Sequence, residues 1–231
     1  YWSSDENVLY PWLVQTWTKE ADGSGLPPTF SSFVGGSPVN DAVQATAAYQ
    51  PKIVGEVTSG QPHAVLEDGI KFDGTNGFLS LANVFTGTDG VSTFIVGNAD
   101  TTDTAEPMFS QGSLSGTLGT AYSVSSEIAF RVAGSAVFND DFIDANPLLL
   151  SLITPDAGTT TDAVARLNGT ELSQTSSTGT TLNYTNQAAQ IGKRFGSFEA
   201  YDGSLKELII YDSDQSSNIP AIETNIANQY G

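Results

Sequence analysis

Cysteine is absent from the 231 residues, histidine occurs once, at His63, and only 8 basic side chains stand against 26 acidic ones, a net charge of −18. Without cysteine there is neither a disulfide framework nor a thiolate that could bind metal or attack a substrate, and the redox compartment is left open. A lone histidine makes zinc unexpected and leaves Ser/His/Asp chemistry one candidate base, with no Gly-x-Ser-x-Gly elbow to accompany it. The acidic excess repels phosphate backbones, and glycine-rich phosphate loops are missing, so no nucleic-acid partner is expected. No apolar run reaches the roughly 18 residues of a spanning helix, which predicts no membrane insertion. A charge of this size and sign suits a salty or calcium-containing medium, and points to an extracellular or virion-surface setting. The opening on Tyr1, with no charged-then-apolar leader, predicts a processed or excised piece, or a chain whose start lies outside this sequence.

What is present reads as many short strands. Residues 1–41 are irregular, with Pro11, Pro27, Pro28, Pro38, Gly35-Gly36 and tryptophans at 2, 12 and 17, and are expected to form an arm or lid. Trp12 and Trp17 are expected to anchor it to the body. Ile70–Leu81 reads as two strands about a turn at Asp73–Gly77, and Val91–Gly97 as another. Further strands are predicted at Met108–Gln111, Ala121–Val124, Glu127–Ala133, Ala136–Asn139, Leu148–Ile153, Ala163–Leu167, Thr170–Gln174 and Ala188–Gly192. Asn168-Gly169 between two alternating runs asks for a type I′ hairpin, which sets Arg166 across from Glu171 on an exposed face and turns Ala165 and Leu172 inward. Tyr201–Tyr211 is apolar on both faces, Leu208 and Ile210 against Ile209 and Tyr211, as befits a strand inside a sandwich. Ile219, Ile222, Ile226 and Tyr230 then form one stripe of a docked helix, with Ser217 or Asn218 as its cap and Pro220 in its first turn. The whole is an all-β antiparallel sandwich of jelly-roll type in a single domain, 1–231, closed by one C-terminal α-helix.

Phe72-Asp-Gly-Thr-Asn-Gly-Phe-Leu79 resembles the signature of laminin-G-like, concanavalin A-like lectin/glucanase jelly rolls, "FDG, two residues, D, aromatic, aliphatic". Ala45–Pro51 is similar to the lead-in of bacterial and phage members. Leu167–Thr170 resembles the "NG" hairpin, Gln190-Ile191-Gly192 the "iG" strand, and Gly203–Tyr211 the closing strand before a helix that ends in Tyr-Gly. The matches follow family order over residues 42–231. Two departures stand out. The signature's second acidic position is Gly77 here, and the Trp-His pair usual before the "NG" hairpin is missing from Asn146–Thr154.

The resemblance raises catalysis, and the residues argue against it. Glucanases of this fold carry a Glu-x-Asp-x-x-Glu strand whose alternation aims acid and nucleophile at the sugar, and no such triplet occurs. Glu199-Ala-Tyr-Asp202 has the wrong spacing, Glu67-Asp68 and Asp140-Asp141 diverge in a strand, and His63 has no neighbouring arginine to serve a lyase. Calcium is the more credible ion, because related domains hold it on a sheet rim through hard oxygen ligands. The resemblance offers Asp73 and Asn76 in the signature turn, with Asp100 and Asp103 and the nearby Asp89 in loops flanking the Phe94 strand. Asn168-Gly-Thr and Asn183-Tyr-Thr are glycosylation sequons by pattern. Lys193-Arg194-Phe195, with Phe198 and Glu199, is the one segment where cation, aromatic and carboxylate coincide, a mixture suited to a sugar ring and its hydroxyls. Tyr201 is expected in the core. The function these readings imply is a non-catalytic, lectin-like recognition domain that binds a cell-surface glycan, polysaccharide or receptor on a virion or secreted multi-domain protein. Its further partners would be other subunits of that particle or protein, or copies of itself. The alternatives are a structural capsid-decoration or fibre-assembly protein, and a polysaccharide-degrading enzyme.

Overall fold

The computed structural model describes residues 2–3, 8–9, 17–18, 29–30, 32–33, 42–44, 46–49, 51–53, 69–82, 84, 86–100, 107–111, 118–123, 128–132, 135–138, 148–184, 187–194 and 200–230. Among these, two antiparallel nine-stranded sheets face each other. In spatial order the first comprises β17 (Thr170–Glu171), β16 (Val164–Leu167), β15 (Leu148–Thr154), β10 (Val91–Ala99), β20 (Asp202–Tyr211), β8 (Ile70–Asp73), β7 (Lys52–Ile53), β4 (Thr29–Phe30) and β3 (Trp17–Thr18). The second comprises β18 (Gln174–Ser177), β14 (Ser135–Phe138), β13 (Ile128–Val132), β12 (Leu118–Ser123), β11 (Phe109–Gln111), β19 (Ala189–Ile191), β9 (Leu79–Leu81), β6 (Ala42–Val43) and β5 (Ser32–Phe33). β1 (Trp2–Ser3) and β2 (Val8–Leu9) pair as a separate ribbon. The helix α1 (Ile219–Tyr230) closes the chain.

Alternation assigns each strand two faces. Phe72, Ile95, Leu150 and Leu205 from the first sheet meet Leu79, Phe109, Phe138 and Ile191 from the second in the main core. Tyr201 is wholly buried there, as its aromatic-before-glycine position predicts, and its hydroxyl donates to the carbonyls of Asn98 (2.8 Å) and Ser204 (3.2 Å). Gly192, at φ +81°, lets the chain pass over Phe72, since a Cβ there would lie 2.2 Å from the ring.

The closing strand is continuous with β10 except at one place. Val96 opposes Glu207 and Gly97 opposes Leu205, so Lys206 is an extra residue in a bulge. Before it Leu205 faces the main core. After it Leu208 and Ile210 face that core, while Ile209 and Tyr211 face outward with Phe94, Val96, Leu149, Ile222 and Ile226 into a second cluster under α1. The predicted two-faced strand and docked stripe are therefore both present. Asn218 precedes the helix, its carbonyl accepting from the N–H groups of Ala221 and Ile222 (3.0 Å each), while its side chain turns back to Gln215 Oε1 (2.8 Å).

Asn168 and Gly169 have φ of 48° and 78°, and Leu167 and Arg166 pair with Thr170 and Glu171, the expected type I′ register. Two expectations need correction. Arg166 is not on an open face: it is half-buried, and its closest carboxylate belongs to Glu223 of α1, at 3.0 Å, with Glu171 at 3.9 Å. Thr170–Gln174 is not one strand either. The chain leaves the first sheet after Glu171, and Gln174–Ser177 joins the opposite sheet beside β14. The Leu172 N–H still bonds to Ala165 O (2.9 Å), and Gln174 then reaches the carbonyl of Thr160 (3.1 Å), so polar residues carry the crossing between layers.

Candidate functional site

The signature turn is built on one carboxylate. Asp73, at the end of β8, accepts through Oδ1 from the backbone N–H groups of Thr75 (3.0 Å), Asn76 (3.2 Å) and Gly77 (3.3 Å). Partial burial pushes its pKa up, but the three N–H bonds outweigh that and hold the carboxyl below its usual value. It is a turn-former, ionised at neutral pH and poorly suited to donate a proton. Gly74 N–H is tied to Tyr201 O (3.0 Å), which fixes the turn on the closing strand.

The turn delivers Phe78 to the surface, where three parts of the chain converge. Phe78 N–H donates to Tyr49 O (3.0 Å), Gln44 Nε2 donates to Phe78 O (3.2 Å), and Gln44 Oε1 accepts from Thr46 N–H (2.9 Å), so the lead-in segment is laced to the turn. The rings of Tyr49 and Phe78 lie 5.8 Å apart at 32°. Lys193 Nζ sits 5.2 Å from the centroid of Phe78, a cation over an aromatic face. The backbone beneath Lys193 is fixed by Ser110 Oγ, which donates to Lys193 O (2.7 Å), and by a bridge to Ala200. The result is a patch of Tyr49, Phe78 and Lys193 on a rigid footing. Tyr49 is 41% exposed, one of two large rings open to solvent among the described residues with Tyr230 at 36%, and so offers a ring on which a ligand can stack.

Of the residues the sequence singled out, Lys193 lies in this patch and Arg194, half-buried, follows it. Phe195, Phe198, Glu199, Asp103, His63 and Trp12 lie outside the described residues, as do the side chains of Trp2 and Trp17. Asp73 and Asn76 share the signature turn, Asn76 giving its N–H to Asp73. Asp100 is ion-paired with Lys71, whose ammonium also lies 3.7 Å from Asp202. Among the described residues no group of three or more His, Cys, Asp or Glu is placed to hold a metal. Sequence reasoning missed Tyr49, Phe78 and Gln44 as site residues. Tyr49 had only its place in the lead-in as a signal, and Phe78 read as the signature's aromatic.

A second concavity, of about 480 Å³, runs beside α1 between Val96, Leu149, the Asn168–Gly169 tip, Thr224, Ala227 and Tyr230. Its charges answer one another. Glu223, 7% exposed, accepts from Ser151 Oγ (2.8 Å) and from Arg166 Nε (3.0 Å) and Nη2 (3.2 Å). Burial and then the neighbouring Glu207 push the Tyr230 hydroxyl far above its usual value, and that hydroxyl is hydrogen-bonded to Glu207.

No protein-family model matches the chain, and no curated protein matches it. Solved structures do. A Trypanosoma rangeli sialidase in complex with sialic acid aligns at TM-score 0.54 and 13% identity, over 84% of this chain and 31% of that one. The binding domain of botulinum neurotoxin serotype D aligns at 0.50 and 9% identity, over 80% of this chain and 48% of that one. Domains LG4-5 of the mouse laminin alpha1 chain give 0.48 and 14%, over 73% and 44%. The chain spans less than half the length of each. The fold is thus the laminin-G-like, concanavalin A-like jelly roll that the sequence resembles.

Proposed function

We propose that this domain is a non-catalytic recognition module that binds saccharide on the Tyr49–Phe78–Lys193 patch, in an extracellular or virion-surface setting and beside other subunits of a larger assembly. The observation that carries the reading is Tyr49: an aromatic ring left exposed, packed at a tilt against a second ring, with an ammonium over that second ring. A pyranose presents an apolar face to such a ring and hydroxyls to flanking polar groups. The patch stands on a sandwich rim held by backbone bonds, so little ordering accompanies binding. Jelly rolls of similar architecture include a toxin's binding domain and a sialidase holding sialic acid, which makes saccharide a chemically reasonable ligand for this scaffold. The non-catalytic part of the proposal is supported by the missing Glu-x-Asp-x-x-Glu strand and by Asp73, the carboxylate nearest the patch in sequence, being committed to its turn. The reading invokes no calcium. It is tested on a glycan array with wild type and Tyr49→Ala: the wild type should mark a defined set of saccharides, and the variant should lose them with its melting temperature unchanged. Binding that survives Tyr49→Ala would rule out this patch.

A further inference from the structure

The described cations fall into different environments. Lys71 stands between Asp100 and Asp202, and Arg166 between Glu171 and Glu223, each neutralised by two carboxylates of its own chain. Lys193 has no ion pair with any described residue; its contact is the face of Phe78. In a chain of net charge −18 a half-buried ammonium could readily have been given a carboxylate, yet this one is held over an aromatic ring beside the exposed Tyr49.

We infer that the patch selects saccharides that carry an anionic group, a carboxylate or a sulfate, with Lys193 as the residue that receives it. This rests on the reading of the Tyr49 patch as a saccharide site. The ring of the sugar lies on Tyr49, and the ammonium over Phe78 meets the anionic substituent without leaving the ring, because a cation–π contact uses the electrostatic field of the ring face and leaves N–H donors of the ammonium directed outward. A charge-assisted hydrogen bond of this kind is about twice as strong as a neutral one. The rest of the protein's negative charge does not cancel it. At 0.15 M salt the screening length is about 8 Å, which damps distant carboxylates, and Asp73 in the neighbouring turn is committed to three backbone N–H groups, while Lys193 acts at contact distance.

The test is a panel of matched oligosaccharide pairs, each immobilised with and without a carboxylate or a sulfate, probed in 0.15 M NaCl with wild type, Lys193→Gln, Lys193→Arg and Tyr49→Ala. All four proteins are first compared by thermal melting. The expected result is that anionic members bind about tenfold or more tightly than their neutral partners. Lys193→Gln should abolish that ratio, Lys193→Arg preserve it, and Tyr49→Ala remove binding to both members. The carboxylate and sulfate arms show which anion is preferred. Equal binding of neutral and anionic members, or a ratio unchanged in a folded Lys193→Gln, overturns the anionic selection while leaving the saccharide reading intact. No binding by any member overturns both.

Discussion

The α1 side of the sandwich and the Tyr49 rim use the same kinds of residue to opposite ends. Under α1, cations, carboxylates and tyrosine hydroxyls are matched to one another: Glu223 to Arg166 and Ser151, and Tyr230 to Glu207. At the rim, a tyrosine is left open and a lysine rests on a phenylalanine. A surface whose polar groups are already satisfied by its own chain contributes to the fold; one that leaves donors directed at water has interactions to offer a ligand. On this contrast substitutions should separate cleanly, those at α1 changing stability and those at the rim changing binding.

The largest effect expected is from Ile226→Asp, which places a charge in the cluster of Phe94, Val96 and Ile226, where Ile226 is 5% exposed. A loss of about 3–5 kcal/mol, or failure to fold, should appear in thermal or urea melts. Undiminished melting would show that α1 is not docked. Glu223→Ala comes next: it removes the principal partner of Arg166 and of Ser151 Oγ while Glu171 remains, for about 2–3 kcal/mol by denaturant titration.

Alkaline pH supplies a gentler probe, chiefly of the main core between the sheets, where Tyr184 lies. Burial pushes the Tyr184 hydroxyl up to about 12, against a hydrogen bond with Thr154 that lowers it, and Tyr230 is raised further still. The unfolded chain gives up these protons near pH 10 and the folded chain holds them, so above pH 10 the unfolded state binds fewer protons and stability falls as pH rises. The stabilisation is intact below pH 10 and declines between about 10 and 12, and Tyr184→Phe should flatten that decline. Smallest of all in stability is Tyr49→Ala, within about 0.5 kcal/mol for an exposed side chain. It nonetheless removes saccharide binding, and a large drop in melting temperature instead would mean that the rim is structural like the α1 side.

Local chemistry made much of the fold legible. Asn168-Gly169 announces its turn because both residues must take positive φ, and the alternation of Leu208 to Tyr211 reports two apolar layers because a strand has two faces. What escaped were features made by contact across the chain. Glu223 falls on the helical stripe four residues after Ile219, yet a glutamate there reads as solvated until Arg166 is brought beneath it from a strand 57 positions away. The departure of β18 to the other sheet is hidden for the same reason, since Gln174 and Thr175 look alike whichever sheet they join. The candidate site was half visible: Lys193 was singled out by its rarity in an acidic chain, while Tyr49 became part of it only by meeting Phe78.

The extra residue at Lys206 makes the closing strand read in two frames. Up to Leu205 the odd-numbered positions serve the space between the sheets, and from Glu207 onward they serve the helix. Deleting Lys206 would join Leu205 to Glu207 in ordinary alternation and leave Leu208 and Ile210 in the core and Ile209 and Tyr211 under α1, so the bulge would be lost while both layers kept their residues. The inserted residue is thus an offset in the count and not in the architecture: past it the ten-residue strand serves two layers at once, its even positions the space between the sheets and its odd positions the helix.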